Sequence, residues 1–176
     1  MDMTREIRIE EGKLKVVFEI QENGVVELKQ FDPAGRMDVK ERDRGEEDFY
    51  PITEVQITGR GTRGMHAYKH NVSGGATDFV YQSHEVLENE KGKELVIHTA
   101  TEYGVKGEYH MQFYPNVAAV QVWTTLKNEG TEEIGLECVS SFIYQGLCQS
   151  GEKPYFEKTS IYTPHNSWDC ESQWRK

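Results

Sequence analysis

The sequence predicts an all-β fold, an antiparallel β-sandwich, and three observations carry that prediction. Apolar and polar residues alternate with period 2 from one end of the chain to the other. Gly- and Asn-containing turn signals punctuate the alternating runs at short intervals. No window of 12 or more residues keeps an apolar stripe of helical period, so no long helix is expected. About ten short strands joined by tight turns bury their apolar faces best by packing one sheet on another.

In chain order, Leu14, Val16, Phe18 and Ile20 share one face, with Lys13, Lys15, Glu19 and Gln21 interleaved. Glu11-Gly12 precedes this run and Asn23-Gly24 follows it. The second pair, set between alternating runs, is the strongest hairpin signal in the chain. Val26 and Leu28 then oppose Val25, Glu27 and Lys29, up to Pro33-Ala34-Gly35. Phe79, Tyr81 and Ser83 form a further run, and Asn89 to Gly92 turn the chain into Leu95, Ile97 and Thr99. Tyr103-Gly104 leads into Tyr109, Met111 and Phe113, which alternate with His110, Gln112 and Tyr114. Val120, Val122, Thr124 and Leu126 close the series before Asn128-Glu129-Gly130. Two stretches break the rhythm: Arg36 to Tyr50, which reads as a charged loop, and Gly59 to Gly75, with five glycines in 17 residues.

The chain has 176 residues, 20 Lys+Arg and 30 Asp+Glu, for a formal net charge of −10. That length fits one domain, residues 1–176, with a core of its own. The acidic balance argues against nucleic acid, which wants clustered cations with little acid among them. The densest charge run, Arg36 to Asp48, mixes four basic with six acidic side chains. No apolar run approaches the ~18 residues of a membrane span. The first residues lack the apolar core of a signal peptide. Cys138, Cys148 and Cys170, odd in number and widely spaced, suggest neither a disulfide framework nor a zinc site. The expectation is a cytoplasmic protein with reduced thiols.

Few motifs carry chemistry. His66 and His70, with Lys69 between them, have the spacing of a helical zinc pair, but the segment is glycine-rich and no Glu follows His66. They fit a turn or a carbohydrate-facing loop better than a metal site. Gly59-Arg60-Gly61-Thr62-Arg63-Gly64 matches the dinucleotide fingerprint literally, yet no helix or βαβ unit follows to aim amides at a pyrophosphate. Asn71-Val72-Ser73 fits a glycosylation sequon that matters only in a secreted protein. The cysteines lack a flanking His or basic helix start to activate a thiolate, and Ser140-Ser141 lacks a nucleophile elbow. The most distinctive stretch is Pro164-His165-Asn166-Ser167-Trp168, followed by Gln173-Trp174-Arg175. Its Trp, His and Asn side chains are the groups that bind sugars, through an aromatic face and amide hydrogen bonds. Alternatively, Trp168, Cys170 and Ser172 form one strand face and the tryptophans belong to the core.

This stretch, with what precedes it, resembles the N-terminal β-super-sandwich domain of glycoside hydrolase family 36 α-galactosidases. The resemblance runs through Tyr109-His110-Met111-Gln112-Phe113-Tyr114-Pro115, Val120-Gln121-Val122-Trp123-Thr124 and Asn128-Glu129-Gly130. It continues through Leu136 to Phe142 and the two C-terminal segments, with Glu54-Val55-Gln56-Ile57-Thr58-Gly59 and Lys69-His70 upstream. It implies a galactose mutarotase-like super-sandwich, here a truncated portion, in an enzyme that cleaves terminal α-galactosides with retention. The catalytic carboxylates then belong to a (β/α)₈ barrel, for which 176 residues leave no room. Trp168-Asp169 is preceded by Ser167 rather than Lys, so the nucleophile's role is not transferred to it. The resemblance assigns no catalytic residue, metal or cofactor. It makes a carbohydrate, the barrel domain and further copies of the chain the partners. His66, Lys69, His70, His165, Asn166 and Trp168 are the substrate-facing candidates.

Two alternatives follow from the same residues. A sugar mutarotase-like enzyme needs a His and a carboxylate about the sugar ring, with His84, His98, His110 and His165 available. A free-standing carbohydrate-binding module needs Trp123, Trp168 or Trp174 on the surface.

Overall fold

The computed structural model describes residues 5–33, 50–61, 73–144, 157, 159–168 and 170–175. The chain divides into two compact units, one of residues 1–37 and 42–145, the other of residues 38–41 and 146–176. Eleven strands and one short helix lie among the described residues, and every strand pairing is antiparallel.

The first unit opens with a three-stranded sheet, β1 (Arg5–Glu11), β2 (Leu14–Ile20) and β3 (Val26–Pro33), in that spatial order. Ile7 and Ile9 of β1, Val16, Phe18 and Ile20 of β2, and Val26 and Leu28 of β3 turn one face inward, as the alternation predicts. The Asn23-Gly24 turn is present. Gly24 takes φ +82°, and its carbonyl accepts a 2.8 Å bond from the Tyr81 amide. Only glycine suits that backbone, because a Cβ there would also stand 3.0 Å from Val80. Beyond the Arg36–Tyr50 stretch, which lies outside the described residues except at Tyr50, the chain is anchored to β3 through Glu27. Its buried carboxylate accepts from the Tyr50 amide and the Gln21 side chain, both at 2.7 Å.

Past a short strand, β4 (Val55–Ile57), a four-stranded meander forms the facing sheet: β5 (Val80–Asn89), β6 (Gly92–Ala100), β7 (Val105–Phe113) and β8 (Val120–Asn128). Leu95 and Ile97, with Tyr109, Met111 and Phe113, meet the inward residues of β1 to β3 in one core. Phe18 and Tyr109 make an edge-to-face contact there, ring centroids 5.9 Å apart. The turns fall where Asn89 to Gly92 and Tyr103-Gly104 place them.

The short strand β4 (Val55–Ile57) pairs with β9 (Leu136–Val139). Next to it, helix α1 (Gly74–Thr77) starts at Ser73, whose hydroxyl accepts from the Ala76 amide at 3.2 Å. Ser73 Oγ also donates to the Val55 carbonyl at 2.8 Å, and the Glu54 carboxylate accepts from the Ser73 amide at 2.9 Å. This one-turn helix is the end of the glycine-rich segment.

In the second unit, β10 (Thr163–Ser167) and β11 (Cys170–Arg175) form a hairpin with a register shift between His165 and Ser167. Of the two readings of its tryptophans, core burial does not hold: Trp168 is 95% exposed and Trp174 66%. Trp168 lies at the tip, between the paired Ser167 and Cys170, so the strand-face argument that grouped it with Cys170 does not reach it.

Candidate functional site

The outward face of the four-stranded sheet gathers most of the chemistry. Alternation along β6 and β7 turns Glu94, Val96 and His98 outward beside Glu108, His110 and Gln112. His110 Nδ1 lies 2.9 Å from Glu94, and His98 Nε2 lies 3.2 Å from Glu85 of β5. Glu108 stands between the two imidazoles, 3.7 Å from His98 Nδ1 and 3.5 Å from His110 Nε2. The second contact brings charge close without hydrogen-bond geometry, and His110 Nε2 remains buried and unpaired. On the other side, Trp123 of β8 stacks on the His110 ring, centroids 4.7 Å apart and planes within 6°. Val96, opposite His110 on the same face, is buried.

His–carboxylate pairs are general acid–base groups, and sequence reasoning had not set any His beside a Glu. A signal was available, since the Tyr103-Gly104 turn sets His98 directly opposite Glu108. The arrangement lacks what sugar ring opening requires. The imidazoles bond their carboxylates side by side on a sheet face, whereas the reaction needs the two groups across a sugar-sized gap. Among the described residues, no group of three or more His, Cys, Asp or Glu is placed to hold a metal ion.

Between the sheets lies a cavity of about 20 Å³, lined by Val26, Thr53, Phe79, Thr99, Tyr109 and Thr124 among others. That is room for one or two waters and not for a sugar ring.

His66, Lys69 and His70 lie outside the described residues. His165 and Trp168 are exposed on the hairpin of the second unit, with the backbone of Asn166 between them. The literal dinucleotide fingerprint has a structural use at its start. Arg60 pairs with Asp78 at 2.7 Å and lies 4.0 Å over the Tyr103 ring. Burial, with the nearby Asp78 charge, pushes the Tyr103 phenol above its ordinary range. His84 bonds Tyr81 at 2.8 Å, and Cys138 is an exposed free thiol. Among the described residues, no helix is long and apolar enough to cross a membrane.

No protein-family model matches the sequence, and no curated protein does. Solved structures do. The chain is similar to a GH36 alpha-galactosidase, AgaA from Geobacillus stearothermophilus, whose crystal structure is in complex with 1-deoxygalactonojirimycin. The TM-score is 0.52 at 16% identity, over 75% of this chain and 23% of that one. The chain thus spans about a quarter of that enzyme's length. At this identity the likeness concerns the fold, and this chain carries an antiparallel β-sandwich of the GH36 alpha-galactosidase kind.

Proposed function

We propose that this chain is the N-terminal, non-catalytic β-sandwich module of an α-galactosidase, a single module of residues 1–176. In this reading a separate barrel domain hydrolyses terminal α-galactosides. The observation that carries it is the shared sandwich, covering three quarters of this chain against under a quarter of the enzyme it resembles. The described site agrees in kind, because its His–Glu pairs are spent on one another and the cavity between the sheets is water-sized. The exposed Ile161, Tyr162, Trp168 and Trp174 supply an apolar surface for the barrel or a further copy of the chain. His66, Lys69, His70, His165, Asn166 and Trp168 are the residues proposed to approach substrate, in a cytoplasmic homo-oligomer.

The test is to assay the purified chain on 4-nitrophenyl α-galactoside and to read the coding sequence around it for a barrel. No hydrolysis together with an adjoining barrel is expected. Hydrolysis by the chain alone overturns the reading.

The exposed Trp168 and Trp174 favour one second reading, a carbohydrate-binding module. Calorimetric titration with galactose and melibiose decides it: binding that Trp168→Ala abolishes supports this reading, and no heat of binding removes it. NMR anomerisation of galactose at the buffer rate would dispose of the mutarotase alternative.

A further inference from the structure

Among the described buried polar atoms that lack a hydrogen-bond partner, one sits within the hydrophobic core. Tyr109 is 2% exposed, its ring packs against Phe18, and its hydroxyl has no hydrogen-bond partner among the described residues. A buried, unsatisfied hydroxyl forfeits its hydration with nothing in return, so native proteins seldom leave one. Tyr109 also lines the cavity between the sheets. Burial drives its phenol well above the ordinary range, so at any physiological pH the group is a donor in search of an acceptor.

The threonines around the same cavity have their protons committed. Thr124 Oγ1 donates to the Ser140 carbonyl at 3.3 Å. In its 3.1 Å contact with Thr53 Oγ1, Thr124 is therefore the acceptor and Thr53 supplies the proton. Thr99 Oγ1 donates to the Gly107 carbonyl at 3.3 Å. Thr53 and Thr99 are thus left with free lone pairs at the cavity wall, and Tyr109 with a free proton. A single water complements that set: it accepts one hydrogen bond and donates two. The cavity, about 20 Å³, exceeds the ~10–15 Å³ such a water needs.

We propose that the cavity is a structural water site, in which one ordered water accepts from Tyr109 and donates to Thr53 and Thr99. The water joins β7 and β6 of one sheet to the segment that leads from β3 to β4. It lets a tyrosine occupy a core position where phenylalanine would otherwise suit.

Crystals of the full chain, with and without pressurised xenon, test this. The expected result is a water peak roughly 2.5–3.0 Å from Tyr109 Oη and from a threonine oxygen, with no xenon bound. Xenon filling the cavity, or a protein acceptor taking the Tyr109 proton, overturns it, because an apolar void stays dry and admits xenon. In Tyr109→Phe the water peak should vanish while the fold persists; a water that remains at full occupancy counts against the proposal. If that variant does not fold, the wild-type water and xenon maps still decide.

Discussion

The imidazole of His110 lies flat on the indole of Trp123, 4.7 Å between centroids, because the two are direct partners in the β7–β8 ladder. The same imidazole bonds Glu94, its diagonal neighbour in β6, and is 13% exposed. One side chain thereby links three strands on the outer face of the sheet. His110→Ala should cost about 1 kcal/mol in urea unfolding, the size of an aromatic cross-strand pair. It should also shift Trp123 emission to the red, read in a background carrying Trp168→Phe and Trp174→Phe. An unchanged spectrum would show that the stack does not persist in solution.

Glu54 is buried, and its carboxylate holds the amide of the residue that caps α1. Its own backbone is bonded twice to Ser140, at 2.8 Å and 2.9 Å. Glu54→Ala should therefore cost about 2 kcal/mol, since it strands a buried donor. For a chain of this size that lowers Tm by about 4–8 °C. Calorimetry checks the value, and faster hydrogen exchange at the Ser73 amide localises it.

Acid should weaken the fold through two carboxylates. Burial alone raises the Glu6 carboxyl, but hydrogen bonds from Lys29 and Arg8 outweigh it and hold the group below 4.5. Hydrogen bonds from Lys106 and Lys127, each 2.6 Å away, hold Glu129 at about 2. Both groups are depressed in the folded state, so their stabilisation is complete above pH 4.5 and disappears as pH falls toward 2. Urea midpoints between those limits should fall less steeply for a Glu6→Gln/Glu129→Gln variant than for the wild type. Parallel slopes would rule these two groups out as contributors.

Gly75 is where the glycine-rich segment packs against β4. A Cβ there would stand 2.6 Å from the Val55 carbonyl, a backbone atom that cannot swing aside. Gly75→Ala should destabilise the chain by about 1–3 kcal/mol. A thermal melt within a degree of wild type would mean that β4 and α1 separate freely.

The hairpin tip predicts the opposite. Trp168 is 95% exposed, so Trp168→Ala should leave stability within about 0.5 kcal/mol. A loss well above that would place the indole in a packed environment.

Much of the architecture was readable from local rules. Alternation placed Val16, Phe18, Tyr109, Met111 and Phe113 on inward faces, and Asn23-Gly24 and Tyr103-Gly104 marked true reversals, because strand period and positive-φ turns are properties of neighbouring residues. The sequence alone also argued against a helical dinucleotide site at Gly59–Gly64, and Arg60 near its start pairs with Asp78. Other features depended on pairs distant in the chain. The row of Glu85, His98, Glu108, His110 and Glu94, the Trp123 stack and the cavity beside Tyr109 exist only once four strands adopt one register. Trp168 makes the same point: composition allowed either core or surface, and the hairpin put it at a tip. Burial is decided by what packs across from a residue, and that partner is chosen by the tertiary fold.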